Sequence, residues 1–548
     1  MVCLKRGKLI EVASINFYSA ELESVLTSFD KSNLIGQIWE RNHVVWKPAP
    51  NGIVNRLGWL TVADQMYEKI PSLYSFVRDV RDRGFHTVVL LGMGGSSLGA
   101  EVLRQTFGTS GEYLNLIVLD STVPAAVIAV AEMIEPEHTL FLISSKSGST
   151  TEPLVLYQYF RKLLNSVSGQ YKAGRNFVAI TDPGSPLALM AGEQQFLHTF
   201  LNTPDLGGRY SVLSYYGLVP AALIGVDIET LLKRAKYMQN ECGPGIQADK
   251  NLGAWLGAVI GTMALSGRDK LTLVTSPSIS GFGLWIEQLI AESTGKEGKG
   301  IIPVVAEPLV NPKYYGNDRL FIHLRMENDD NSIVDEAVGH IKSTGQPILT
   351  LKIQDKYDLG AEFFRWEFAT AVAGSILNVN PFDQPDVQKS KELTEHILEE
   401  YGNTGNLPET SLAVSVMELF AELEEGSYFA IMAYIRQTVE VDEALLELRR
   451  RIIQRYCIAT TLGYGPRFLH STGQLHKGGQ NNGLFLQITM GHEKDLLIPG
   501  KPYTFGVVVD AQAAADFQAL CAKGRRVASI HLARQDNVDI RQLIEKLL

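Results

Sequence analysis

The sequence His86-Thr-Val-Val-Leu-Leu-Gly-Met-Gly-Gly-Ser-Ser-Leu-Gly99 begins with a short apolar run and passes directly into a Gly-rich turn. Such a run predicts a buried strand, and the glycines after it predict a tight turn into a helix. Similar runs follow at 116–119, 140–143 and 177–180, with helix-length segments between them. Apolar strands separated by helices are typical of a parallel sheet covered on both faces, so a doubly wound α/β domain is predicted here.

Four parts are predicted along the chain. Residues 1–84 have helical periodicity and form a helical N-terminal segment, and residues 85–225 form the first α/β domain. Residues 226–400 form a second such domain, with strands near 271–274, 301–305, 320–322 and 348–351. Residues 401–548 form a C-terminal α/β extension that packs on the second domain. It begins with a linker at 401–409, and its strands and helices include the apolar runs at 429–431, 484–488 and 505–509.

Composition excludes several classes of protein. With 548 residues, 45% hydrophobic and 20% charged, the chain has an ordinary globular composition, and a net charge of −10 argues against nucleic-acid binding. The uncharged run 251–267 contains four glycines and is too short to span a bilayer, so it predicts a buried helix. Four widely separated cysteines form neither a zinc set nor a disulfide framework, and residues 1–13 lack the apolar stretch of a secretion signal. We therefore expect a cytoplasmic protein.

The Gly-rich loop at 92–99 is suited to anion binding. Its glycines let backbone N–H groups approach an anion, and the following helix adds partial positive charge. The loop fits neither G-x-G-x-x-G nor the P-loop pattern. Residues 95–99 do match the nucleophile elbow G-x-S-x-G, which leaves open an α/β-hydrolase with Ser97 as nucleophile.

A second loop, Ser144-Ser-Lys-Ser-Gly-Ser-Thr-Thr-Glu152, predicts a cradle for a phosphate monoester. Its hydroxyls and N–H groups can donate hydrogen bonds to phosphate oxygens, and Lys146 can add a charge. The loop follows a predicted parallel strand, at the end where α/β sheets bind ligands. A hydrolase with one nucleophilic serine has no use for it. A third motif, Gly207-Gly-Arg-Tyr-Ser211, allows close backbone approach while Arg209 reaches a ligand.

Together these three motifs resemble those of the phosphoglucose isomerase family, and later stretches agree with that resemblance. Residues 291–296 resemble the family's segment with the catalytic glutamate, and residues 380–391 resemble its second signature, which ends in the active-site lysine. Residues 465–479 resemble the isomerase part of transaldolase–phosphoglucose isomerase fusions. No transaldolase barrel fits into the first 84 residues, so a stand-alone isomerase is implied.

The resemblance implies two doubly wound, mainly parallel-sheet sugar-isomerase (SIS-type) domains and a reversible aldose–ketose isomerisation. Glucose 6-phosphate and fructose 6-phosphate would interconvert through an enediolate, in glycolysis and gluconeogenesis, without a metal or cofactor. Glu292 would be the base and Arg209 would stabilise the enediolate, while Lys391 and a histidine would open the sugar ring. The residues implied to hold the substrate are Gly95, Ser96, Ser145, Lys146, Ser147, Thr150 and Gln384. Family members commonly dimerise, so a homodimer is expected.

The ring-opening histidine is where the sequence departs from the family. Residues 315–319 occupy the place of the family's histidine loop without a histidine. His476 is the first choice, because its Gly-rich loop precedes a predicted strand, and His470 is the alternative. A sugar-phosphate-binding regulator of the same fold also stays open at this point, as does mannose 6-phosphate as an additional substrate.

Overall fold

The computed structural model describes residues 10–13, 18–168, 173–408 and 416–532. The strands of these residues are β1 (Ile10–Ala13), β2 (Thr87–Gly92), β3 (Asn115–Leu119), β4 (Thr139–Ser144), β5 (Phe177–Thr181), β6 (His198–Leu201), β7 (Lys270–Thr275), β8 (Ile302–Val304), β9 (Arg319–Met326), β10 (Ile348–Ile353), β11 (Tyr428–Ala433), β12 (Ala459–Tyr464), β13 (Gly483–Met490) and β14 (Arg526–Leu532). The α-helices are α1 (Ser19–Ser32), α2 (Leu34–Trp39), α3 (Val62–Tyr67), α4 (Ile70–Asp82), α5 (Leu98–Phe107), α6 (Pro124–Met133), α7 (Thr151–Ser168), α8 (Pro186–Glu193), α9 (Tyr215–Leu223), α10 (Ile228–Glu241), α11 (Leu252–Leu265), α12 (Phe282–Thr294), α13 (Ser332–Ser343), α14 (Leu359–Leu377), α15 (Pro385–Thr404), α16 (Val416–Ala421), α17 (Val439–Tyr456), α18 (Gly473–Gly478) and α19 (Phe505–Ala522).

The first sheet has the strand order β3-β2-β4-β5-β6, and all its pairs are parallel. The inner strand β2 is apolar from Val88 to Leu91 and is covered on both faces. Val88 and Leu90 pack into the core on one face, whereas Val89 and Leu91 pack into a separate core on the other. The predicted parallel α/β architecture is therefore confirmed.

The second sheet has the order β1-β10-β9-β7-β8. Its strands β7 to β10 pair in parallel, and β1 is added antiparallel along the edge of β10. Helical periodicity alone predicted no strand before residue 84. The four residues of β1 are too few to produce a periodic signal, and their strand conformation depends on the β10 edge that they pair with.

The predicted buried helix is α11, which crosses the equally buried α14. The two backbones approach closely, since a Cβ on Gly257 would lie 2.4 Å from the carbonyl oxygen of Ala369. Within the described residues, no helix combines the length and the apolarity needed to cross a membrane.

The C-terminal unit, residues 416–532, contains a third parallel sheet with the order β12-β11-β13-β14. It contacts both preceding domains, whereas the sequence led us to expect packing on the second. Phe505 and Val508 of α19 pack into the outer core of the first sheet, and the Arg449 guanidinium donates to the carbonyl oxygen of Val305 in the second domain, at 3.0 Å. The run at 505–509 begins helix α19, and helix α15 extends to Thr404 within the predicted linker.

Candidate active site

Two Gly-rich turns meet above the first sheet. The turn after β2 places Gly95 against Gly208, so that a Cβ on Gly95 would lie only 2.1 Å from the carbonyl oxygen of Gly208. Gly94 has a φ of +54°, which favours glycine at the sharpest point of the same turn. The absence of side chains therefore lets the backbone of the first loop approach the segment that carries Arg209.

The hydroxyl-rich loop lies beside the Gly-rich turn, because β2 and β4 are parallel neighbours with Gly92 opposite Ser144. The Ser144 hydroxyl donates to the carbonyl oxygen of Ser96 at 2.9 Å, which ties the two loops together. The Ser145 and Thr150 hydroxyls are 3.0 Å apart, and the N-terminus of α7 follows at Thr151. Ser96, Ser145, Ser147 and Thr150 thus lie on loops at the carboxyl edge of the first sheet.

Lys146 is placed differently from what the sequence suggested. Its ammonium group forms an ion pair with Asp182, which follows β5, and donates to the carbonyl oxygen of Pro204 at 3.1 Å. The positive charge assigned to a phosphate is therefore paired with a carboxylate within the protein. The reason is that Asp182, 36 residues away in sequence, follows the strand next to β4.

Arg209 is buried and its guanidinium connects three segments of the site. Nε donates to the Ser293 hydroxyl at 2.8 Å, and Nη1 lies 3.3 Å from a Glu292 carboxylate oxygen, so that helix α12 is held on one side. The remaining hydrogen bonds reach the segment before α15 and go to the carbonyl oxygens of Pro381 (2.6 Å) and Asp383 (2.9 Å) and to the side-chain oxygen of Gln384 (3.0 Å).

Glu292 is only 7% exposed, and its second carboxylate oxygen accepts a hydrogen bond of 3.0 Å from the amide of Gln288. The same amide nitrogen donates to the carbonyl oxygen of His470 at 2.8 Å. Gln288 was not predicted from the sequence, although its position one helical turn before Glu292 places both side chains on one face of α12. It joins the predicted base to the segment that carries His470.

His470 contacts the buried carboxylate of Glu152, with 2.9 Å between Nε2 and the nearer carboxylate oxygen. That oxygen also accepts a hydrogen bond of 2.7 Å from Gln512 of α19. Burial acts to raise the pKa of the Glu152 carboxyl, but the charge and hydrogen bond of His470 outweigh it, and the pKa falls to about 2. Lys391 is exposed near the start of α15, close enough to Glu152 for its charge to contribute to that lowering.

His476 does not join this cluster. It is buried between the rings of Phe468 and Phe485, with centroid distances of 5.9 and 5.0 Å. Neither ring nitrogen has a hydrogen-bond partner among the described residues, and burial lowers the pKa of the imidazole well below its usual range. The surroundings of His476 therefore speak against the first choice made from the sequence, whereas those of His470, the alternative, include a carboxylate partner. The short helix α18 turns His476 into the apolar core of the C-terminal unit, which the loop sequence could not indicate.

Lys296 is a further buried cation beside the cluster that was not predicted. Its ammonium group binds the carbonyl oxygen of Asn380 and both the carbonyl and carboxylate oxygens of Asp383, the latter at 2.6 Å. Burial next to Arg209 lowers the pKa of Lys296 to about 7, against the attraction of Asp383. This contact fixes the same segment, 380–384, that Arg209 holds from the other side.

Ser97 lacks the surroundings of a nucleophile. Its hydroxyl is completely buried and donates to the carbonyl oxygen of Gly94 at 3.2 Å, within its own turn. A hydrolase nucleophile needs exposure and an adjacent base. The geometry of this turn therefore gives the hydrolase alternative no support.

Comparison with known proteins points to one family. The model of a family described as phosphoglucose isomerase matches residues 62–301. The chain is 28% identical over 383 residues to the glucose-6-phosphate isomerase of Staphylococcus saprophyticus, covering 61% of this chain and 85% of that protein. The corresponding enzyme of Streptococcus pyogenes serotype M18 is 27% identical over 425 residues, covering 68% of this chain and 93% of the relative.

Two crystal structures share the fold. A glucose-6-phosphate isomerase from Chlamydia trachomatis superposes with a TM-score of 0.60 at 20% identity, over 73% of this chain and 89% of the other. A hypothetical protein from Thermus thermophilus gives the same TM-score at 22% identity, over 71% and 99% of the two chains.

Proposed function

We propose that this chain, which belongs to the phosphoglucose isomerase family and is an isomerase, interconverts glucose 6-phosphate and fructose 6-phosphate. The observation that carries this proposal is the position of the Gln288 amide. It bridges the Glu292 carboxylate and the main-chain carbonyl oxygen of His470, so that the proposed base is tied to the segment that carries the proposed ring-opening residue. A regulator that only bound sugar phosphate would have no need for this connection.

The phosphate is proposed to bind at the hydroxyl-rich loop. Ser96, Ser145, Ser147 and Thr150 supply hydroxyl donors, and the N-terminus of α7 adds partial positive charge. Because Gly95 and Gly208 have no side chains, the backbone N–H groups of these turns are proposed to reach the ligand. Lys146 contributes through its ion pair with Asp182, which fixes the shape of the loop.

Proton transfer is proposed to rest on Glu292. Moving a proton between C2 and C1 requires one carboxylate beside both carbons, and the contacts of Glu292 with Arg209 and Gln288, which fix its orientation, support this role. Arg209 stabilises the enediolate, since its charge is permanent and already oriented by Ser293 and the segment before α15. Gln384 is the exposed member of this group and is proposed to contact the sugar.

Ring opening is proposed to use His470 together with Glu152 and Lys391. A carboxylate that accepts a hydrogen bond from the imidazole fixes its orientation and tautomer, which leaves the other ring nitrogen to exchange a proton with the sugar. The exposed ammonium of Lys391 lies near this pair and is available to the ring oxygen or its hydroxyl. The proposed cellular role is in glycolysis and gluconeogenesis, in the cytoplasm.

The test is a coupled assay of fructose 6-phosphate conversion with the variant Glu292→Gln. Loss of a general base costs about 10²–10⁴-fold in turnover, while Kd for the sugar phosphate stays within a few-fold because shape and polarity are kept. Glu297→Gln is the matched control, since Glu297 lies five residues further on and its exposed carboxylate pairs with Lys47. Near-normal turnover of Glu292→Gln would remove Glu292 from this role.

A further inference from the structure

A cavity of about 700 Å³ lies where the first domain, the second domain and the C-terminal unit meet. Its walls come from α5 and the end of β3 in the first domain, α12 in the second, and α17 and β12 in the C-terminal unit. Among the described residues that line it, none is assigned above to catalysis or phosphate binding. Its volume falls within the range of roughly 300–1,000 Å³ that is typical of small-molecule sites.

Most charged side chains in the cavity are already paired. Glu101 binds Arg104 at 2.7 Å, and Asp120 forms an ion pair with Arg467 at 3.2 Å. The Arg449 guanidinium donates hydrogen bonds to the Thr460 hydroxyl and to the main-chain carbonyl oxygens of Val305, Ala306 and Thr460. The guanidinium groups are therefore committed to the protein and leave little for an anionic ligand.

Glu287 is the buried exception, whereas Glu443, the other carboxylate of the cavity without a hydrogen-bond or ion-pair partner among the described residues, is exposed to solvent. Glu287 lines the cavity from α12, it is 8% exposed, and within the described residues its carboxylate accepts no hydrogen bond and joins no ion pair. Burial raises its pKa to about 7, against the attraction of Arg449 and Arg467. Burying a carboxylate without a partner costs free energy, and a cationic ligand that pairs with it would offset this penalty.

We propose that this cavity binds a small organic cation whose ammonium group pairs with the Glu287 carboxylate. The apolar body of the ligand would lie against leucines that line the same cavity, including Leu98, Leu284 and Leu462. A divalent metal ion does not fit this chemistry, because it needs several free oxygen ligands and Glu287 offers a single unpaired carboxylate. The occupant would also touch Phe468 and Ser471, on the segment that carries His470.

The test is direct binding of hexylamine by calorimetry at about pH 8, where both the amine and the carboxylate are charged. We expect saturable binding to the full chain, and at least tenfold weaker binding to Glu287→Gln, which keeps the shape of the side chain. Glu443→Gln is the matched control, because this exposed carboxylate lines the same cavity and should leave affinity unchanged. Hexanoate, which has the same apolar body and the opposite charge, should not bind.

A second variant keeps the proposal testable if Glu287→Gln is unstable. Leu446→Arg introduces a guanidinium at the partly exposed lip of the cavity, and it should abolish hexylamine binding without altering Glu287. Equal affinity of wild type and both variants would overturn the proposal, as would displacement of hexylamine by fructose 6-phosphate. These measurements do not require isomerase activity, so the outcome is independent of the proposed function.

Discussion

The two histidines of the C-terminal unit, His470 and His476, have different surroundings. Substituting each of them in turn tests which one takes part in catalysis. His470 contacts a buried carboxylate, whereas His476 lies between two phenylalanine rings without a polar partner among the described residues. We expect His470→Asn to slow turnover of cyclic glucose 6-phosphate by about 10²-fold or more, because the proposed ring-opening group is lost. His476→Phe, which suits its apolar surroundings, should keep most of the activity, and the reverse pattern in the coupled assay would reject the assignment.

The Glu152 carboxylate should make the protein sensitive to acid. Its pKa is lowered to about 2 from a usual 4.5, so its contribution to stability is full above about pH 5 and is lost as the pH falls toward 2. That contribution to the free energy of unfolding is about 3 kcal/mol. Roughly 1–2 kcal/mol of it is lost when the pH is lowered from 6 to 3.5. Urea unfolding at these two pH values should show the stability gap between wild type and Glu152→Gln narrowing by this amount. The exposed control Glu399→Gln should show no such narrowing.

At the scale of elements, the site depends on two turns that pack backbone against backbone. Gly95→Ala would place a Cβ 2.1 Å from the carbonyl oxygen of Gly208, and neither main chain can yield without moving its loop. Because a displacement of about 1 Å can cost up to 10²-fold, we expect KM for fructose 6-phosphate to rise at least tenfold. Gly192→Ala is the control, since a Cβ there meets open space within α8, and it should leave KM unchanged. An unaltered KM for Gly95→Ala would show that the contact does not position the ligand.

The elements themselves were predictable where their pattern is internal to the chain. Strand β2 is apolar on both faces and is followed by glycines, so its place in a parallel sheet could be read directly. Strand β1 could not, because its conformation depends on β10, which lies more than 300 residues further on. Helix α19 was ambiguous for another reason, since a short apolar run such as Phe505–Val509 suits a strand and a buried helix equally.

The site was predictable where a local motif carries the chemistry. Arg209, Glu292 and Gln384 come from separate motifs, and the structure brings the other two within ion-pair or hydrogen-bond distance of Arg209. The pairing of Lys146 with Asp182 and the choice between His470 and His476 were not predictable. They depend on which neighbouring strand supplies a carboxylate and on which side of a short helix faces the core.

At the scale of the whole molecule, all the proposed catalytic groups come from one chain. Glu152 is in the first domain, Glu292 in the second and His470 in the C-terminal unit, and the contacts that join them are internal. If the protein forms the homodimer that the resemblance implies, each subunit should therefore contain a complete site. Co-refolding Glu292→Gln chains with His470→Asn chains should then restore no activity. A shared site would instead restore about a quarter of wild-type activity, because half of the dimers would be mixed and would have one intact site of two.

The distance along the chain between Glu152 and His470 also sets an order of events during synthesis. They are 318 residues apart, so at roughly 5–20 residues per second the histidine emerges on the order of tens of seconds after the carboxylate. For that time Glu152 is hydrated, and the face of the first sheet that α19 later covers is open to water. On the proposed assignment, the nascent chain would complete its phosphate-binding loops during this interval, and it would gain the ring-opening pair only when His470 folds against Glu152.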